Sequence, residues 1–195
     1  MRKEVLSARS GRPNGWRIAA WSIAGLLWLL PLAAMQVTDE VNWTASDFVF
    51  AAVLIGGVGL VLELAIRSTP SAAYRGGIAV LAAGCFLLIW INAAVGIIGS
   101  EDNPLNLFYA AVPAVALIGG AAARFRARGM ARAVAVAAVT QAALGVVAMV
   151  AGRNEPPGAI GLLLLNGCFV ALLAWSAWLF NRAGAADLEV GAASS

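Results

Sequence analysis

Histidine is absent from this chain. That removes histidine-ligated haem, histidine-based zinc sites and imidazole acid–base chemistry. Charge is scarce as well: 12% of the residues are charged and 62% are hydrophobic, at a mean hydropathy of +0.85. A soluble domain carries about 25% charged residues, and half that charge cannot cover a globular surface with water-compatible groups. Only two cysteines occur, Cys85 and Cys168, in separate apolar runs. They form no metal or redox motif, and each reads as a small buried hydrophobe. A phosphate-binding glycine loop, a nucleophile elbow and a metalloprotease motif are also missing. No cofactor is expected. The 195 residues would suit one or two soluble domains; the composition instead places the chain in the membrane class.

What the chain does have is six apolar runs, over 18–37, 48–66, 77–98, 107–123, 133–151 and 160–180. Each is close to the roughly 17–25 residues needed to cross a bilayer with about 30 Å of hydrocarbon. The runs lack the alternation of a membrane barrel strand, so helix is the expected conformation. The fold class is therefore all-α, a polytopic membrane bundle of six transmembrane helices in one domain over 16–182. A basic tail at 1–15 precedes it and a second tail at 183–195 follows. The basic start and Ala33-Ala34 raise a signal peptide as an alternative, but the first run exceeds the 7–15-residue core of a cleaved signal. An uncleaved first span is the better reading.

The sequence pI near 9.4 invites a nucleic-acid reading, which the placement of the charges opposes. Arg2, Lys3, Arg9, Arg12 and Arg17 precede the first span, and Arg67 and Arg75 join the second to the third. Arg124, Arg126, Arg128 and Arg132 join the fourth to the fifth, and Arg182 follows the sixth. Six crossings put these twelve on one side and leave only Arg153 on the other. Positive residues mark the cytoplasmic side, so both termini are expected inside. Trp16, Trp21, Trp175 and Trp178 lie toward inner ends and Trp43 toward an outer one, as interfacial belts do.

A weak repeat runs through the outer loops. Asp39-Glu40 leads to Phe50-Ala51-Ala52-Val53 and then Gly56-Gly57; Glu101-Asp102 leads to Tyr109-Ala110-Ala111-Val112 and then Gly119-Gly120. Three similar helical hairpins, related by an axis along the membrane normal, would produce such a pattern.

Polar groups inside the spans are the informative ones, because each is costly there unless paired. Glu63 stands four residues before Arg67 on one helix face, about one turn from the inner end. The preferred reading is an ion pair snorkelling to the interface; the sharper one is a proton- or cation-binding carboxylate in a transport path. Asn92 and Asn166 lie roughly 9 Å below the outer boundary, and Gln141, after Thr140, lies near mid-span. Asn92 would share a face with Cys85, Gly96 and Gly99, while Gln141 continues the stripe Ala133, Ala137, Gly145. Small residues with an occasional amide are what close packing in lipid uses, and interhelical bonds are the preferred reading. The alternative is an outward-facing polar pocket of Asn92, Gln141 and Asn166, rimmed by Trp90, Trp43 and loop acids, binding a substrate.

The outer acids are Asp39, Glu40, Asp47, Glu101, Asp102 and Glu155. Thr44-Ala45-Ser46-Asp47 reads as a capping box opening the second span, which makes Asp47 a helix cap rather than a catalyst. The two acidic pairs read as solvated turns, with Asn103-Pro104 as a turn signal; they lack the ligand spacing of a calcium loop, and no metal is assigned. Pro31 and Pro113 are expected to bend their helices.

At MQVTDEVNW (35–43), YRGGIAVLAAGCFLLIWINAAVGIIGSEDNPLNLFYA (74–110) and RGMARA (128–133), the chain resembles a group of small six-span bacterial inner-membrane proteins, themselves uncharacterised. The resemblance extends from Arg17 to Arg182. It implies a bacterial plasma membrane and this topology, and it carries no activity, cofactor or functional residue. The leading expectation is a non-enzymatic accessory or assembly component in contact with the lipid bilayer, packing as a homo-oligomer or against another membrane protein. A small transporter or channel is the alternative. An enzyme ranks third, because every aqueous loop is short and the loop acids have no partner base.

Overall fold

The computed structural model describes residues 15–193, so the basic residues of the N-terminal tail lie outside the described residues. The described chain is helical and contains no strand. Its elements are α1 (Gly15–Ala34), α2 (Ala45–Ser68), α3 (Ala72–Ala94), a 3-10 segment (Pro104–Ala110), α4 (Ala111–Ala122), α5 (Ala127–Ala151) and α6 (Gly158–Ala193). Six helical stretches are long and apolar enough to cross a membrane: Arg17–Ala34, Ala45–Ser68, Ala72–Ala94, Pro104–Ala122, Ala127–Ala151 and Gly158–Ala186. The chain is an all-α, multi-pass membrane protein.

Several boundaries differ from the sequence reading. The third helix stops at Ala94 rather than Ile98, so Gly96 and Gly99 do not share a helical face with Asn92. Both glycines adopt left-handed backbone, with φ of +74° and +70°, a conformation that ends a helix at little cost only in glycine. The fourth span opens as a 3-10 segment, and Pro113 falls in the first turn of α4, where the loss of an amide hydrogen costs little. Beyond Arg182, where a tail was expected, α6 continues to Ala193.

The chain divides into two compact units, Met1–Gly59 and Leu60–Ser195, with the boundary inside α2. In the first, α1 and the start of α2 form an antiparallel pair. Trp28 Nε1 donates to Phe48 O at 2.8 Å, and Phe48 also meets the Trp28 and Trp43 rings edge-on at 6.0 and 5.2 Å. Further along, Gly59 leaves space that the Trp21 ring occupies. The cap expected at Thr44 forms in part. Asp47 Oδ2 accepts from the Thr44 amide at 2.7 Å, while the Thr44 hydroxyl donates to that same oxygen at 2.8 Å rather than capping a helix amide.

In the second unit α6 packs between α3 and α5, and α5 packs between α6 and α4. Small residues dominate the inward face of α5, beside Met130 and Val134. Helix α5 buries Ala133, Ala137, Gln141, Gly145 and Ala148, and turns Val136, Val139, Val146 and Val150 outward. Lipid tails are as apolar as valine, so hydrophobicity alone does not drive a side chain inward, whereas small residues let backbones approach and pack closely. At Gly119 of α4 a Cβ would stand 2.8 Å from Ala133 Cβ, so the α4–α5 contact depends on glycine.

Candidate functional site

The polar residues of the second unit gather in two clusters. In the first, Tyr109 at the end of the 3-10 segment, Gln141 on α5 and Asn166 on α6 meet in the core, at 1%, 0% and 5% exposure. Asn166 Oδ1 accepts from the Tyr109 hydroxyl and from Gln141 Nε2, each at 2.9 Å. Asn166 Nδ2 donates back to Leu162 O on its own helix at 2.8 Å. One carbonyl oxygen thus joins three chain segments. Gly145, one turn beyond Gln141, faces Asn166 Cβ so closely that a side chain there would displace the asparagine. Gln141 Oε1 is buried and has no hydrogen-bond partner.

The second cluster surrounds Asn106, which is 3% exposed. Its Oδ1 accepts from Ile97 N and Ile98 N at 3.2 and 2.9 Å, and its Nδ2 donates to Ile98 O and Ser100 O at 3.3 and 2.7 Å. Its own carbonyl accepts from Asn92 Nδ2 at 2.7 Å. The loop after α3 is therefore folded inward, with Ile97 and Ile98 at 0% and 2% exposure. Gly99 N donates to Pro156 O at 2.9 Å, which ties this loop to the one before α6. A backbone without regular structure is tolerated at such depth only when its polar groups are paired within the protein, and Asn106 does that pairing.

Of the residues singled out in the sequence, Gln141 and Asn166 come together and Asn92 does not join them; it bonds to Asn106. Trp90 stacks on Phe86 one turn away on α3, 5.6 Å between centroids. Glu63 Oε1 pairs with Arg67 Nε at 2.7 Å, with side chains 17% and 69% exposed. This is the geometry of a pair reaching toward an interface. Thr140 donates to Val136 O within α5. Asp39, Glu40, Glu101 and Asp102 are exposed, and among the described residues no group of three or more metal-ligating side chains could hold an ion. Cys85 is half-buried, whereas Cys168 is exposed rather than buried, because an apolar residue on an outward helix face meets lipid.

Sequence reasoning missed Asn106 and Tyr109. Asn106 lies one residue outside an apolar run, and Tyr109 counted only as part of a repeat. The two Gly-Gly pairs of that repeat sit in unlike settings. Nothing lies within 4 Å of a Cβ at Gly56 or Gly57, while Gly119 and Gly120 press on Ala133 and Met130. In comparisons with known proteins, no family model, no curated protein and no solved structure matches this chain.

Proposed function

We propose that the chain is a non-catalytic accessory or assembly component of the bacterial inner membrane, working through helix packing against itself or another membrane protein. The observation that carries this reading is the bonding at Asn166. The amides a transport path would need spend their donors on neighbouring helices and backbone. The Glu63–Arg67 pair supports it from the interface, since the one carboxylate well inside an apolar run already has a cation beside it. The outward faces of the helices remain apolar, as contact with lipid or a membrane partner requires. Inner-membrane placement rests on the sequence resemblance, and cytoplasmic termini on the distribution of basic residues.

The second reading, a small transporter or channel, draws on Gln141 Oε1 and Asn92 Oδ1, buried acceptors without a partner. Native mass spectrometry of the protein, gently extracted from its own membrane, separates the two. A complex with a second chain or further copies is the expected result. A monomer carrying a reproducible small-molecule mass, lost in Gln141→Leu without loss of stability, would replace the assembly reading with the transport one.

A further inference from the structure

One end of the second unit concentrates cations from three segments. Tyr74, in the first turn of α3, donates its hydroxyl to Phe125 O in the α4–α5 turn at 2.6 Å. Its ring also stands edge-on to Phe180 of α6, 5.1 Å between centroids. Arg128, at the start of α5, lays its side chain across Gly184 of α6, where a Cβ would come within 2.6 Å of Arg128 Cγ. These contacts bring Arg75, Arg124, Arg126, Arg128 and Arg182 to one end of the unit, and all but the half-buried Arg75 are exposed. Among the described residues no carboxylate pairs with them. No acid occurs in the sequence between Glu63 and Glu101, between Asp102 and Glu155, or between Glu155 and Asp187. The nearest opposing charges along the chain are Asp187 and Glu189, beyond Arg182 on α6.

The aromatic surroundings narrow the class of anion. The Arg182 guanidinium lies 4.9 Å from the Trp178 ring centroid. Trp178 and Trp175 are 50% and 53% exposed, and their spacing to Arg182 of four and seven residues keeps all three on one outward strip of α6. Guanidinium groups recognise phosphate oxygens through paired hydrogen bonds, and tryptophan favours the level of lipid headgroups. A soluble polyanion would use the cations and leave the apolar strip idle; a phospholipid uses both.

We propose that this end of the protein is a binding site for the headgroups of anionic phospholipids. Arg124, Arg126, Arg128 and Arg182 hold the phosphate, and Trp178 supports the glycerol and the first acyl segment. The site is independent of the assembly reading and of which side of the membrane it faces, because its test is made in detergent.

The purified full chain is mixed with equal amounts of phosphatidylglycerol and phosphatidylcholine, and the retained lipid is counted by native mass spectrometry. The wild type is expected to retain phosphatidylglycerol selectively. Arg126→Gln and Arg128→Gln should each weaken that retention about fivefold, while Arg153→Gln, in the loop before α6, should leave it unchanged. Equal retention of the two lipids, or no effect of the triple variant R124Q/R126Q/R128Q, overturns the proposal. So does displacement of the lipid by millimolar inorganic phosphate, which would make this a site for soluble anions. Should the triple variant not fold, the wild type decides alone. Phosphatidylglycerol must raise its thermal midpoint above that in phosphatidylcholine, with an increment that shrinks as salt rises, and an equal midpoint in both lipids overturns the site.

Discussion

At the residue scale, the Asn106 side chain makes more hydrogen bonds than that of Asn92, Gln141 or Asn166. Its side chain satisfies the buried amide hydrogens of Ile97 and Ile98 and the carbonyls of Ile98 and the exposed Ser100, while Asn92 contributes a single side-chain bond. A buried backbone group left without a partner costs about 1–3 kcal/mol. Asn106→Ala should therefore lower stability by about 3 kcal/mol or more, against about 1 kcal/mol for Asn92→Ala, read from unfolding in detergent. Equal losses would mean that the loop is held by packing of Ile97 and Ile98 rather than by the amide. The sequence concealed this because its polar signal was weighed by depth in an apolar run. An asparagine just outside a run looks solvated, and only the pattern Gly96-Ile97-Ile98-Gly99, two large apolar residues between glycines in a loop, hinted at an inward fold.

At the element scale, existence and helical type were legible for all six spans, since long apolar runs leave no other backbone solution in lipid. The inward face of α5 was legible too, because the stripe Ala133, Ala137, Gln141, Gly145 repeats at strict spacing of four. Helix ends were less so. Hydropathy continues unbroken through Ile97 and Ile98, and the stop at Ala94 depends on a glycine turn and on Asn106, neither of which changes the apolar character of the run. Similar sequence also took on different roles. Gly119→Ala would drive a methyl into Ala133 and should destabilise by about 1–3 kcal/mol, the usual range for overpacking. Gly56→Ala meets nothing within 4 Å and should stabilise by up to about 1 kcal/mol through helix propensity. Thermal unfolding of the two variants should therefore move in opposite directions, and a shared sign would contradict the packing described at Gly119.

At the scale of the whole molecule, the threading of the chain is a statement about charge rather than about contacts. Arg67 and Arg75 flank one connection and Arg124, Arg126, Arg128 and Arg132 another, while the connection before α6 carries Arg153 beside Glu155. Two crossings lie between those first two connections, which puts them on one side, and the K/R bias predicts that side to be the cytoplasm. Two cysteine variants test this in a background where Cys85 and Cys168 are replaced by serine. Ser68→Cys marks the α2–α3 connection and Asn154→Cys the α5–α6 connection, and both positions are exposed. On intact cells a membrane-impermeant maleimide should label the Asn154→Cys variant and leave the Ser68→Cys variant unlabelled until the membrane is opened. The reverse pattern would turn the protein over, and labelling of both positions on intact cells would remove the odd count of crossings, those of α3, α4 and α5, between them. The lipid site would survive the first outcome, since its arginines would still meet anionic headgroups in the opposite leaflet. The second would place the departure in α5, because the Tyr74–Phe125 hydrogen bond already returns α3 and α4 to a common end.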